Sequence, residues 1–572
     1  MFHRFFTYVR ALSAGDSFLF KITLLTFVVS VIILGIALNA RTQIEIASRG
    51  GSFTEGIIGT PRFVNPVLAV TRADKDLTTL VFDGLMKLGS DGTLAPHIAE
   101  SITVSDDGLT YNIILRKDVF FHDGTPLTAT DVLYTLGRIQ DPTIMSQLRS
   151  NFETVLSEQV NEYEINLILR EPYAPFIENL VFGILPQHIW KDVSSEEFPF
   201  SQYNSEPVGS GPYTVHTIHR NSSGIPDSYE LTSYAKYFKG QPKIDTLNLM
   251  FYPNEEKLVQ TFLKGELDSI SGIDPSRITD LQSKTEDHAV LKIPLPRIFT
   301  LFINQNKSPV LRDKAVRKAL DISIDRTALI QTVLGGYGLP TVSPIPTGFN
   351  NTTTTPIGTT TPIDASRAIL KEAGWKPNTN TGIWEKNIDG TLTPLTFSIA
   401  TINSPLFEAT AEFLRTTWEQ LGVTITVKQF EQSDLTQSII RPRDYESLLF
   451  GTHVGRALDF YPFWHSSKRN DPGLNLSLYT NITTDSILSE LRTNTNNTER
   501  NSALTRFAGE LEKETPALFL YQPEFLYVFP KKITGAIFKG IGEPHERFAN
   551  IENWYIDKES VWPIFKKTLH PQ

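Results

Sequence analysis

Cysteine is absent from all 572 residues. Disulfides, thiolate catalysis, Cys-ligated zinc and iron–sulfur clusters are therefore excluded, and so is a lipid tether on an N-terminal cysteine. A chain without stray thiols suits an oxidising compartment. Basic residues are in deficit as well: 53 Lys and Arg against 63 Asp and Glu give a net charge of −10. With no cationic run to neutralise phosphates, nucleic acid is not the expected partner. Catalytic signatures are missing too: there is no H-E-x-x-H, no G-x-S-x-G and no G-x-x-x-x-G-K-[ST]. Gly209-Ser210-Gly211-Pro212 has the outline of a nucleophile turn, but Pro212 cannot supply the backbone N–H that an oxyanion hole needs. A structural loop is expected there. His122-Asp123 and His545-Glu546 are adjacent pairs whose side chains diverge in regular structure. Turn or solvated positions are expected for both, with no metal and no cofactor.

What the chain does have is length, enough for two to four domains, and one long apolar run. Ile22–Ala40 carries no charge and as a helix spans roughly 28 Å, the thickness of a bilayer's hydrocarbon core. Arg4, Arg10 and Lys21 precede it, which orients residues 1–21 to the cytoplasm and the bulk of the chain outside. An uncleaved transmembrane signal anchor is expected. A cleaved signal peptide is the alternative, although its apolar region is normally shorter, about 7–15 residues.

The ectodomain reads as mixed α/β. Ile102–Val104 and Tyr111–Leu115 flank Asp106-Asp107-Gly108, the pattern of a β-hairpin. Phe120-Phe121 then ends a strand, and Asp123-Gly124 turns it. Thr128 is the expected N-cap, Asp131 completes a capping-box variant, and Val132, Leu133, Leu136 and Ile139 form an apolar stripe that Asp141-Pro142 stops. Beyond residue 310, helices alternate with strands. Asp313 and Asp325 are expected caps, with Ala328, Leu329 and Val333 inward on the second helix. Phe407, Ala411, Leu414, Trp418 and Leu421 share one helical face; Gly422 ends that helix, and Val423, Ile425 and Val427 alternate as a strand. Residues 341–363, rich in Thr, Pro, Asn and Gly, read as a long surface loop.

Several motifs now line up. Val81-Phe82-Asp83-Gly84-Leu85, Pro96-His-Ile-Ala-Glu-Ser101, Ser105-Asp-Asp-Gly-Leu-Thr-Tyr111 and Phe120–Tyr134 occur in order. Pro207-Val-Gly-Ser-Gly-Pro-Tyr213, Leu301-Phe-Ile-Asn304, Val316–Leu320 with Ile324-Asp325-Arg326, and Ala368–Trp375 follow. In order and spacing the chain resembles the family 5 extracellular solute-binding proteins, the oligopeptide and dipeptide receptors of ABC importers. The resemblance covers about residues 50–530. It implies a two-lobed periplasmic-binding-protein fold of three domains with a hinge-closing cleft: domain I from 44–90, 205–293 and 520–560, domain II from 91–204, domain III from 294–519. It also implies a monomeric receptor that captures peptides in the cleft and passes them to ABC permease subunits, without catalysis. A receptor for a metal chelate, a sugar or an anionic metabolite is the alternative, and a cell-wall peptide hydrolase a remote one.

The expected cleft residues come from two sources. Family position suggests Phe63, Asn65, Asn304 and Tyr521. Composition suggests the segment 453–465, where His453, Arg456, Asp459, Tyr461 and Trp464 mix rings with charges as a ligand site wants, Tyr461 and Trp464 serving as stacking surfaces. Peptide receptors of the family often place an acidic residue close to Arg456's position to pair the ligand's α-ammonium. Arg456 there sets a like charge against a free amine and favours an anionic or blocked ligand; the alternative is that Asp459 itself serves the amine.

Overall fold

A computed structural model of the chain describes residues 13–42, 44–282, 286–349 and 363–561. Residues 350–362 of the expected surface loop and 1–12 of the N-terminal segment lie outside the described residues. The chain divides into two units, one made of residues 1–51 with 555–572 and the other of 52–554. In the smaller unit Ala14–Thr42 is one helix, roughly 43 Å long. Its span Ala14–Ala37 is long and apolar enough to cross a membrane. The hydroxyls of Thr23 and Thr26 donate back to the carbonyls of Leu19 (2.8 Å) and Ile22 (3.0 Å), so both polar groups are satisfied within the helix. Strands Ile44–Ala47 and Lys558–Val561 pair antiparallel beyond it.

In the larger unit one twelve-stranded sheet is the spine. Its key member is the fourteen-residue strand Ala517–Pro530, a nearly unbroken apolar run buried along almost its whole length, as a strand covered on both faces must be. Its first half pairs with Arg297–Ile303 and its second with His288–Pro294. Residues 288–303 and 517–530 are therefore two passages running between the halves of the sheet. One half adds Ser447–His453, Thr396–Ile402 and Thr424–Phe430; the other adds Ser269–Ser271, Ser52–Ile58, Thr246–Tyr252, Pro226–Ser233 and Tyr213–Arg220.

The helix–glycine–strand unit forms as the sequence predicts: helix Pro405–Leu421 ends at Gly422 in the left-handed conformation (φ 94°). Thr424–Phe430 then pairs parallel to Thr396–Ile402. Asp313 and Asp325 cap their helices, accepting from the N–H groups of Ala315 (3.0 Å) and Ala328 (2.9 Å). The inward face of the second helix is shifted from the expected one. Leu329, Ile330 and Leu334 are buried, whereas Ala328 and Val333 are half-buried. Trp375, Trp384 and Trp418 fill the core around these helices. A four-stranded antiparallel sheet, in the order 99–104, 110–115, 164–168, 156–161, contains the predicted hairpin, and helix Ala129–Gln140 follows it in sequence.

The Gly209–Pro212 segment is a structural crossing. Gly211 donates its N–H to the carbonyl of Val81 (2.8 Å), and a Cβ on Gly209 would come within 2.0 Å of that same oxygen. Only a residue without a side chain lets two backbones approach this closely.

Candidate functional site

A cavity of about 600 Å³ opens where the end of strand Ser447–His453 faces the other half of the sheet. Its walls come from four distant stretches: Pro66 to Leu88, Gln147 to Gly183, His453 to Ala457, and Gly542 to Ala549. The volume is that of a binding site for a small ligand. Carboxylates on the walls are matched by cations. Lys75 pairs with Glu543 at 3.0 Å, and Lys87 with Asp83 at 3.2 Å. Asp83 is also reached by His97 (2.9 Å). Burial alone raises the Asp83 pKa, but Lys87 and then His97 outweigh it and hold the carboxyl well below the usual range.

The charged centre of the cavity is Arg456. Its guanidinium donates to both oxygens of Glu546 (2.8 and 2.9 Å) and to Glu178 (2.9 Å). Burial by itself weakens the charged form of all three groups. For Arg456 the attraction of Glu546, then of Glu178, prevails and raises its pKa; for Glu546 the guanidinium prevails and lowers it. Glu178 accepts only one of these bonds, so burial wins there and its pKa is raised. Both carboxylates bond the guanidinium, so Arg456 is paired within the chain. The like charge expected of Arg456 is met here by these two carboxylates, which lie 278 and 90 residues away in sequence.

Of the other residues singled out from sequence, His453 lines the cavity, its Nε2 3.1 Å from the carbonyl of Gly542. Asp459 binds Arg492 (2.9 Å) and accepts from the hydroxyl of Tyr173 (3.0 Å). Tyr461 stacks on His465, with ring centroids 4.0 Å apart, and Arg492 lies 4.2 Å above its ring. The remaining five sit in the scaffold. Trp464 packs against Phe302 and Phe519 in a core, because the short helix Tyr461–Trp464 turns it inward. Tyr521 is fully buried, stacked on Phe299 and bonded to Thr410 (2.8 Å). Asn304 donates to the carbonyl of Arg443 (3.0 Å) and accepts from Asn306 (3.1 Å), pinning a turn. Asn65 is buried too, donating to Asn204 (2.9 Å) and accepting from Val67 (2.9 Å). Phe63 lies half-buried beneath the guanidinium of Arg62 and is not among the cavity-lining residues. Asn65 nonetheless shapes the site, since Pro66 and Val67 beside it form part of the wall.

Glu178 and Glu546 are the site residues that sequence reasoning missed. His545-Glu546, expected as a solvated or turn pair, instead lies on the cavity wall, with Glu546 capping its own short helix. Glu178 carries no sequence signal at all.

Residues 93–472, more than half of the chain, match the family described as Bacterial extracellular solute-binding proteins, family 5 Middle. The chain belongs to this family. The oligopeptide-binding protein AppA of Bacillus subtilis (strain 168) is 25% identical over 537 residues, covering 91% of this chain and 94% of the relative. The solved structure of the Bacillus subtilis AppA, in complex with a nonapeptide, superposes with a TM-score of 0.64 at 23% identity. It covers 90% of this chain and 100% of that one. MppA, a periplasmic murein tripeptide binding protein in an unliganded open form, gives a TM-score of 0.75 at 18% identity over 90% of this chain and 98% of its own. NikZ from Campylobacter jejuni, in complex with Ni(L-His), gives 0.66 at 24% identity over 88% and 99%. The fold is the two-lobed periplasmic-binding-protein fold.

Proposed function

We propose that this chain is a membrane-anchored extracytoplasmic receptor that captures peptides between its lobes and delivers them to the permease of an ABC importer. The observation that carries the reading is the cavity itself, walled by both lobes of a family 5 solute-binding protein. Full-length similarity to the oligopeptide-binding protein AppA supports peptides as the cargo. Binding, not turnover, is the task in this reading. The lobes divide as the sequence suggests, with domain I from 44–90, 205–293 and 520–560, domain II from 91–204 and domain III from 294–519. The two passages at 288–303 and 517–530 agree with that division. His453, Arg456, Glu178 and Glu546 are the proposed polar ligand contacts. Asp459 and Tyr461, a few residues on from Arg456, are proposed to border the site. Helix Ala14–Thr42 is proposed to stay attached as a single-pass anchor.

Native mass spectrometry of the full chain, purified in detergent without refolding, tests the cargo. A ladder of co-captured peptide masses is expected. A single non-peptide mass, such as a metal chelate, overturns the reading. For any candidate peptide, ligand at 100 times Kd adds about 2.7 kcal/mol of stability, readable as a thermal shift.

A further inference from the structure

The segment that follows strand Ser447–His453 does more than line the cavity. From one lobe it sends two side chains to the other. Arg456 grips Glu178 at 2.9 Å and Glu546 at 2.8 Å, and its reach extends to the carbonyl of Gly540 at 3.4 Å. Three residues on, Asp459 accepts from the hydroxyl of Tyr173 at 3.0 Å. Arg492 holds that carboxylate in place (2.9 Å) and also sits 5.1 Å above the Tyr173 ring. Glu178 and Tyr173 both belong to the stretch that Gly183 ties to Gly84. Glu546 is fixed through its neighbour Arg547, which is fully buried between Glu55 (2.7 Å) and Asp76 (2.6 Å). The crossing bonds thus start from one lobe and end on the other, beside the Gly84–Gly183 bridge and the buried Arg547 ion pairs.

Every one of these bonds is made within the chain itself. Arg456 and Glu546 are each only 12% exposed at the side chain, and the guanidinium is bidentate, the geometry that resists solvent and salt best. Hinge closure in a two-lobed receptor needs contacts made to both lobes at once. Here residues of the chain itself make such contacts at two separate points.

We infer that Arg456 and Asp459 form an intramolecular strap that ties the lobes together in the ligand-free receptor, so that closure does not wait for a ligand. A receptor already populating its closed arrangement avoids the affinity penalty of selecting a rare one. Entry of cargo then requires the strap to open. This inference rests on the two-lobed fold and not on peptides being the cargo.

The absence of native cysteine makes the test direct. Spin labels on Leu156→Cys and Ile482→Cys, exposed at 67% and 88%, report the interlobe distance in the full-length protein in detergent. The protein is first stripped of ligand, which its native mass spectrum verifies. Double electron–electron resonance should give one narrow distance in the otherwise unaltered chain. The Arg456→Ala/Tyr173→Phe double variant should give a longer and broader distribution. Tyr173→Phe alone, which removes only the crossing O–H, should shift part of the population and keeps the test available if Arg456→Ala fails to fold. Identical distributions in the unaltered chain and the folded variants overturn the strap, as does a broad distribution in the unaltered chain.

Discussion

His122 stands between two loops that the sequence separates by almost ninety residues. Its Nδ1 accepts from the N–H of Gly209 at 3.3 Å, and its Nε2 donates to the carbonyl of Gly211 at 3.0 Å. This pairing uses both nitrogens of a neutral ring. Burial pushes its pKa down to about 4, against smaller opposing contributions from the Gly211 bond and nearby carboxylates. In the unfolded chain the ring takes up a proton near 6.5. Between these two values the unfolded state binds more protons, so the stabilisation is complete above about pH 6.5 and is lost as pH falls towards 4. For a fully buried ring the shift corresponds to about 3 kcal/mol; His122 is only half-buried, which reduces the expectation to roughly 2 kcal/mol. Thermal melts from pH 4 to 7 should show His122→Gln with a shallower loss of stability on acidification than the parent. Parallel pH profiles would assign the acid sensitivity to other groups. The sequence places His122 at a turn or solvated position; the structure half-buries it and uses both ring nitrogens to hold the Gly209–Gly211 loop. Arg456 likewise takes its partners from residues far along the chain.

Local elements were legible wherever the determining interactions are short-range. Helix Ala129–Gln140 is the clearest instance, because the group that starts it lies three residues from its cap. Asp131 accepts from the N–H of Thr128 (2.9 Å) and from its hydroxyl (3.1 Å). The structure adds a third bond that the sequence does not disclose, from the N–H of Gln187 (2.9 Å). Asp131→Ala removes the cap interaction and leaves a part-buried N–H without its acceptor. The expected cost is about 1–3 kcal/mol, seen as a lower urea midpoint. A change within a few tenths of a kcal/mol would show that water replaces the carboxylate. The segment 453–465 shows where local reading stops. Its mixture of rings and charges marks a functional neighbourhood, but composition says nothing about which way each ring faces. One turn of helix sends Trp464 into the core and leaves His453 and Arg456 at the cavity.

At the scale of the whole molecule, the apolar helix near the N-terminus has the length and composition of either a membrane anchor or a signal sequence, and the proposed anchor is directly testable. If the anchor is retained, the intact mass of protein extracted from membranes includes residues 14–42, and deletion of residues 1–41 releases the rest into the soluble fraction. A mature N-terminus near residue 41 in the unaltered protein would instead identify a cleaved signal peptide. The apolar helix, the exclusion of thiol chemistry, the capped helices, the hairpin and the family can all be read from the amino-acid sequence. Each follows from composition or from residues a few positions apart, where periodicity and side-chain chemistry act directly on the backbone. The folded chain is needed to show which side chains share the cavity, that Arg456 is bonded by Glu178 and Glu546, and that Asn304, Tyr521 and Trp464 are buried in the scaffold. Those outcomes depend on bringing together stretches up to several hundred residues apart. Burial and charge pairing are properties of that assembled environment, and no single segment carries them.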